Sequence, residues 1–539
     1  MKNKIAKFVF FVGTFLLLSS ILTIASTDIP AGEPDHGLFW MGRFSIVFVV
    51  FTLLSLWLAG KRRVLSFPLA VSGSLILLAG IEALWGVGQI YGLLPSSNAR
   101  FVLTGSFYNP GPYSGYLAMV FPLCLHEWMR WRKMPVRTLW HRLVTCFPLW
   151  VLLLILCVLP AGMSRSAWIA AVVSGVWVYA MEKSWHEKVK GVLGRCQKRK
   201  AWGGIVLLIV LFTMAGIALF QLKAGSASGR LLMWKISCRA IAEKPLGGHG
   251  AGRFVWAYGE AQERYFAKGH FSATEEWVAG SPEYAFNEYL QVAVEYGIPL
   301  LVLALFVVGY CLRQGIKRRR VGLCGAVVSL LIFSFSSYPL QFPAFALTFG
   351  LLLAACIVGR SRYWLLCLAV CVASLGFWCM KSNRYEACRE WTKARLSYGM
   401  GAYGSAKNAY EQLYPQLRDR GTFLFEYGHC LHKLREYERS NQILEKAMVH
   451  SCDPMLLNII GKNYQALGKY PQAEACFVRS THRLPGRIYP YYLLAKLYAE
   501  PAYRHPEKLK QAVETVFTKT PKVPSTAIRE MREEVKRLK

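Results

Sequence analysis

Two arginines stand in connections between long apolar runs, where a fixed cation is costly unless it reaches water or meets an anion, and that of Arg165 is too short to shield it. Arg165 lies in Ser164-Arg165-Ser166-Ala167-Trp168, and Arg230 in Ser228-Gly229-Arg230-Leu231-Leu232-Met233-Trp234. A planar guanidinium can engage two phosphate oxygens at once without a metal, so both positions could hold a phosphorylated ligand. The plainer reading of Arg165 is a side chain snorkelling to the interface at a helix end.

Three further stretches belong beside them. Thr104-Gly105-Ser106-Phe107-Tyr108-Asn109-Pro110-Gly111-Pro112-Tyr113-Ser114-Gly115 sets a Pro/Gly turn against the start of an apolar run. There Asn109 and Tyr113 could meet a ligand, or simply build an interfacial turn. The stretch Lys244-Pro245-Leu246-Gly247-Gly248-His249-Gly250-Ala251-Gly252 imitates a phosphate loop, but no GK[ST] ending or GxGxxG is present, so nucleotide binding is not expected. In Ser281-Pro282-Glu283, Ser at the cap and Pro at the first helical position predict a helix start. That helix is expected to run through Phe286, Asn287 and Glu288 to Gly297, with Glu288, Gln291 and Glu295 on one face as a polar stripe about 10 Å long, entering the membrane. A structural salt bridge or hydrogen bond is the alternative for Glu295.

The elements that carry these residues follow from composition. Of 539 residues 54% are hydrophobic and only 18% charged, while 64 Lys and Arg against 31 Asp and Glu give a net charge of +33. A mean hydropathy of +0.29 with so few charges describes a polytopic membrane protein with basic loops. Disordered, collagen-like and compact disulfide-scaffold classes are excluded, and the dispersed basic blocks argue against nucleic acid as a partner. Apolar runs near 5–25, 44–59, 67–87, 113–129, 143–161, 166–181, 202–221, 289–312, 321–336, 342–358 and 363–380 predict about 11 spans. Basic residues fall in alternate connections, at Lys2 to Lys7, Lys61 to Arg63, Arg130 to Arg142, Lys183 to Lys200, Arg313 to Arg320, and Arg360 and Arg362. The positive-inside rule makes these cytoplasmic and sends the motifs and the C-terminus to the other side. The first run has no cleavage site, so it is expected to remain as an anchor. No CxxC or Cys/His cluster with zinc-like spacing occurs, and no metal or cofactor is expected.

After Met380 the apolar runs stop. Tyr403, Tyr437 and Tyr470 recur at a period near 34, as do Ala406, Ser440 and Ala473, and Leu467-Gly468-Lys469-Tyr470-Pro471-Gln472-Ala473 resembles the core of a tetratricopeptide repeat. The expected organisation is therefore all-α: a membrane helix bundle over 1–380 with an external loop at 222–288, then a soluble repeat solenoid over 381–539 that could bind a protein partner or cap the bundle. Cys388, Cys430, Cys452 and Cys476 would then lie in an oxidising compartment, with no pairing readable from spacing.

The ordered set T-G-S-F-x-N-P, S-R-S-A-W, S-G-R-x-x-x-W followed by P-L-G-G-x-G, and F-N-E-Y-L-Q-x-x-x-E-x-G resembles the O-antigen ligase and polymerase superfamily, which includes bacterial O-oligosaccharyltransferases. The resemblance covers roughly residues 70 to 360. It implies a GT-C-like bundle in the bacterial inner membrane, with the repeat domain in the periplasm. It also implies metal-independent, inverting transfer of a glycan from undecaprenyl diphosphate to an acceptor, lipid A core ahead of chain polymerisation or protein, among membrane lipids. By matching motif Arg165 and Arg230 would hold the diphosphate, Glu283 and Glu295 would serve catalysis, and Asn109, Tyr113, Asn287, Glu288, Gln291 and His249 would bind substrate. Many members carry His where this chain has Phe286, so Glu283, His249 or His270 would have to accept the proton, unless stabilising the leaving group suffices. A glycan or lipid transporter, or a scaffold with a decayed site, are the readings outside the enzyme class.

Overall fold

The computed structural model describes residues 1–60, 64–135, 138–185, 224–359, 361–380 and 384–538, and these form helices with no β-strand among them. The expected span at 202–221, most of the basic connection from Lys183 to Lys200, and Lys61 to Arg63, Arg137 and Arg360 lie outside the described residues. Among the described residues five helices are long and apolar enough to cross a membrane: Lys2–Thr23, Asp35–Ala59, Phe67–Ile90, Ile298–Lys317 and the apolar helix that begins at Arg362. Several such helices in one chain make it a multi-pass membrane protein. Arg142–Val158, Val321–Ser334 and Pro343–Ile357 are shorter apolar helices.

The chain divides into two compact units. The first takes residues 1–221 and 302–385, and the second 222–301 and 386–539. The first unit contains α1 (Lys2–Leu18), α2 (Asp35–Ala59), α3 (Phe67–Ile90), α4 (Pro110–Trp131), α5 (Leu139–Val158) and α6 (Arg165–Glu182). Within the second, α7 (Ala224–Glu243), α8 (Phe254–Ala267), α9 (Ala273–Val278) and α10 (Glu288–Tyr296) precede α11 (Ile298–Lys317), along which the chain returns to the first. There it forms α12 (Val321–Ser334), α13 (Pro343–Ile357) and α14 (Arg362–Met380).

Small residues let α4, α6 and α12 pack against one another closely. A Cβ on Gly115 of α4 would lie 2.2 Å from the Phe333 ring, one on Gly175 of α6 would lie 2.9 Å from Phe121, and one on Gly325 of α12 would lie 2.3 Å from Val178. The Ser329 hydroxyl also donates across the contact to the Ala118 carbonyl at 2.7 Å. This trio fixes where α6 begins, and Arg165 is its first residue.

The rest of the second unit is a helical array: α15 (Arg384–Gly399), α16 (Tyr403–Leu417), α17 (Gly421–Lys433), α18 (Tyr437–Ala447), α19 (Pro454–Ala466), α20 (Tyr470–Arg483), α21 (Tyr489–Ala499), α22 (Pro506–Thr518) and α23 (Thr526–Lys536). From α16 to α22 each helix packs on the next. Gly428 of α17 sits under Leu444 of α18 as Gly461 of α19 sits under Phe477 of α20, so the sequence repeat is also a repeat of small-on-large contacts. Cys388, Cys430, Cys452 and Cys476 are free thiols.

Two expectations near the fourth motif fail. Residues 281–287 form bends rather than the first turns of a helix, and α10 begins only at Glu288. Phe286 takes a left-handed φ of 50°, which a helix interior does not admit, and the Asn287 side chain caps the helix from the Leu290 amide at 3.1 Å. Nor does the helix run on as a span from 289 to 312. Gly297, with φ 86°, ends it, and the apolar helix starts afresh at Ile298. Glu288, Gln291 and Glu295 are therefore buried within the second unit instead of forming a stripe along a span.

Candidate functional site

In the first unit, the loop 104–109 is held from below by two polar side chains of α3. The Gln89 carboxamide oxygen accepts the Thr104 and Gly105 amides at 2.9 and 2.8 Å. The fully buried Glu82 carboxylate accepts the Ser106 amide at 3.2 Å and the Ser106 hydroxyl. The Tyr108 hydroxyl and the Ser26 backbone close the other side at 2.6 Å. The side chain of Asn109 caps α4 by accepting the Gly111 amide at 2.9 Å, and the buried Tyr113 hydroxyl donates to the Glu82 carbonyl at 2.9 Å. Both residues thus hold the turn together.

One turn along α4, Ser114 meets the segment before Arg165, where a Cβ on Gly162 would lie 2.1 Å from its hydroxyl oxygen. That hydroxyl is buried and has no hydrogen-bond partner among the described residues. The Trp168 indole donates to the Leu159 carbonyl at 2.8 Å and pins the turn, with Met163 at φ 47°. Arg165, half-buried, stands in the first turn of α6, where the exposed amides of a helix start favour an anion.

In the second unit, the third and fourth motifs meet. The Arg230 guanidinium carbon lies 5.4 Å from the centroid of the Phe286 ring, within cation–π range. Phe286, with its left-handed backbone, therefore faces the motif arginine. Asn287 caps α10, and the Gln291 carboxamide oxygen ties the preceding bend by accepting the Ala285 amide at 3.1 Å. Glu295 accepts the Gly252 amide at 3.1 Å, just before α8 starts, and lies 3.4 Å from the Gln291 amide nitrogen. Burial pushes the Glu295 carboxyl above the usual carboxylate range, against the opposing pull of the hydrogen bonds from Gly252, Gln291 and Phe254. Glu288 is buried at the α10 start.

The glycine stretch is a backbone joint. The His249 and Gly250 amides donate to the Val294 and Glu295 carbonyls at 2.8 and 2.9 Å, and the Ile298 amide to the Pro245 carbonyl at 2.8 Å. A Cβ on Gly248 would lie 2.4 Å from the Glu295 carbonyl oxygen, and one on Gly297 2.2 Å from that of Leu246. His249 is buried, with Nε2 bonded to the Ala240 carbonyl at 2.9 Å, while Glu283 and His270 are exposed.

Sequence reasoning passed over two groups. Glu82 and Gln89 are polar residues seven apart in an apolar span, the pattern that marks an intramembrane carboxylate as functional or paired. The second group joins α8 to α20: Arg483, 1% exposed, pairs with Glu260 at 2.5 Å and Glu263 at 2.9 Å, and the Gln262 side chain donates to the Arg483 carbonyl at 2.6 Å. Arg479 adds a pair with Glu263 at 2.7 Å, and Lys519 pairs with Glu276. No local sequence signal links residues so far apart.

Residues 150–305 match the O-antigen ligase family. The matched segment takes in Arg165, Arg230, the glycine joint and α10, and leaves out the loop 104–109 and the helical array. The match points to glycan transfer of the O-antigen ligase or polymerase type, with lipid-linked glycans as substrates. No curated protein matches the chain.

Proposed function

We propose that this protein is a metal-independent, inverting glycosyltransferase that moves a glycan from undecaprenyl diphosphate to lipid A core at the periplasmic face of the bacterial inner membrane. The observation that carries the reading is the family match spanning both arginine motifs, with Arg230 held against the Phe286 ring. In the reaction an acceptor hydroxyl attacks the anomeric carbon, the bond to the diphosphate oxygen breaks, and negative charge grows on the leaving group. Guanidinium groups at Arg165 and at Arg230 are each assigned to that charge, where a fixed donor stabilises the transition state more than the ground state. Glu283 is the proton acceptor of this reading, with His270, exposed like it, as the other candidate, since His249 is buried with Nε2 already engaged. Glu295, Gln291 and Asn287 act as positioning residues through the backbone contacts that shape the bend.

The helical array, read as a tetratricopeptide-repeat domain, favours a second acceptor class. Its ion pairs with α8 join the array to a helix that packs on α7, the helix of Arg230, an arrangement a protein O-oligosaccharyltransferase could use to present a peptide. The test is transfer by the purified full chain in lipid, offered lipid A core, a second lipid-linked glycan, or an acceptor protein. Arg230→Ala and Arg165→Ala should each lower turnover about 10²-fold, with Arg→Lys recovering part of it. Undiminished transfer by stably inserted alanine variants at both positions would refute the diphosphate assignment, and transfer to none of the acceptors would refute the activity.

A further inference from the structure

At one end of the first unit, where α3 and α12 begin and α4, α11 and α13 end, lies a cavity of about 240 Å³. Its charge is lopsided. Among the described residues Arg130, Arg318, Arg319 and Arg320 line it against one carboxylate, Glu127. Arg320 is engaged at the α13 end through the Ala355 carbonyl at 2.6 Å, and Arg130 lies 3.4 Å from Glu127. Arg318 and Arg319 remain exposed at the rim.

Two helix starts open on the same space. Neither Ser66, before α3, nor Arg320, before α12, caps its helix with a side chain, and Gly322 in the first turn of α12 belongs to the cavity wall. First-turn amides and arginines together favour phosphate oxygens. Independently, the cavity wall holds buried polar atoms without a hydrogen-bond partner among the described residues. His126 and Glu127 are 5% and 4% exposed, and His126 Nδ1 and Glu127 Oε2 have no hydrogen-bond partner among the described residues. The nearest approach between them, His126 Nδ1 to Glu127 Oε1 at 3.4 Å, lacks hydrogen-bond geometry. A carboxyl oxygen can accept a hydrogen bond, so an occupant that carries a hydroxyl donor beside its anion fits this wall.

We propose that this cavity holds the headgroup of an anionic glycerophospholipid of the phosphatidylglycerol type. The phosphodiester lies against Arg318, Arg319 and the α12 amides, and a head hydroxyl donates to Glu127. A lipid rather than a free phosphate fits the setting, because α3 and α11 are long and apolar enough to cross a membrane and Pro68, Leu69 and Leu323 give the wall an apolar side. The excess of arginine over carboxylate selects a net anion over a zwitterion.

The full chain, reconstituted in phosphatidylcholine discs containing a minority of phosphatidylglycerol or of phosphatidylethanolamine, is re-extracted, and its retained lipid is counted by native mass spectrometry. Retention of about one phosphatidylglycerol per chain is expected, falling about tenfold or more in Arg318→Gln/Arg319→Gln, with Arg318→Lys/Arg319→Lys in between. Both arginines are exposed, so thermal unfolding of the Gln variant in pure phosphatidylcholine should match the parent. The parent chain alone suffices to overturn the proposal, by retaining phosphatidylglycerol no better than phosphatidylcholine or by preferring phosphatidylethanolamine. Equal retention by the Gln variant would also overturn it. So would inorganic phosphate raising the unfolding temperature in pure phosphatidylcholine as much as phosphatidylglycerol does, which would assign the cavity to the free ion.

Discussion

Replacing Arg483 by Met should loosen the second unit in a way that replacing Arg479 should not. Both arginines pair with the same two carboxylates of α8, Glu260 and Glu263, but the Arg483 side chain is 2% exposed and that of Arg479 40%. Removing the buried arginine leaves two partly buried carboxylates with only the half-exposed Arg479, and empties a buried cation site, at about 3 kcal/mol. A half-exposed pair contributes about 1 kcal/mol or less, because water and salt screen it. Close packing leaves little room for repair, since a Cβ on Gly259 would lie only 2.8 Å from Arg483 Nη1. A 3 kcal/mol loss corresponds to about a 10²-fold rise in local opening. Hydrogen exchange on the full chain in detergent should therefore show amide protection in α8 and α20 falling about 10²-fold in Arg483→Met, and less than about 5-fold in Arg479→Met. If the two variants exchange alike, burial does not set the strength of this contact and the reasoning is wrong.

Three other outcomes are expected. Phe286→Leu keeps an apolar side chain but removes the ring beneath Arg230, so transfer should fall about 5-fold, for about 1 kcal/mol, while Phe286→Tyr stays near the parent; equal turnover of all three would dismiss the cation–π contact. Gly297→Ala must place a Cβ 2.2 Å from the Leu246 carbonyl oxygen at a φ of 86° and should destabilise the chain by about 2 kcal/mol or more in thermal unfolding, whereas Gly247→Ala, with open space around it, should change stability by about 0.5 kcal/mol or less. Burial alone would raise the carboxyls of Glu263 and Glu275, but hydrogen bonds from Arg479 and Arg483 hold the first below its ordinary value, and those from Lys235, Ser272 and Tyr265 hold the second at about 2. Their contribution is present above the ordinary carboxylate value of 4.5 and lost as pH falls towards 2, so acid should lower the unfolding temperature of the parent more than that of Glu263→Gln.

Much of the helical layout could be read from hydropathy, because an apolar run of span length permits little else. The fourth motif shows where such reading stops. Ser281-Pro282 and Asn287 are both sound cap signals six residues apart, and local chemistry alone cannot choose between them. Tertiary contacts choose: Gln291 fastens the Ala285 amide, and Phe286 is turned out of helical conformation towards Arg230. Gly297 was a legible stop, since a glycine just past a helix is the usual left-handed terminator, yet the apolar run beyond it hides the break. The pairs of Arg483 with Glu260 and Glu263 span more than two hundred residues, and neither member is unusual in its own neighbourhood.

A phosphate cradle needs free amides, and the amides of His249 and Gly250 are spent on the Val294 and Glu295 carbonyls. What the glycines supply is contact distance: at Gly248 and Gly297 two backbones approach more closely than any side chain allows. The joint locks the segment after α7 to the end of α10, while the helix starts of those same two elements carry Arg230 and follow Phe286. The glycine stretch is thus not a phosphate cradle. The glycine motif is a fastening, and its effect on chemistry would pass through the placement of Arg230, so a Gly248→Ala chain that still inserts should lose turnover in the same sense as Arg230→Ala without gaining any defect in binding a free phosphate.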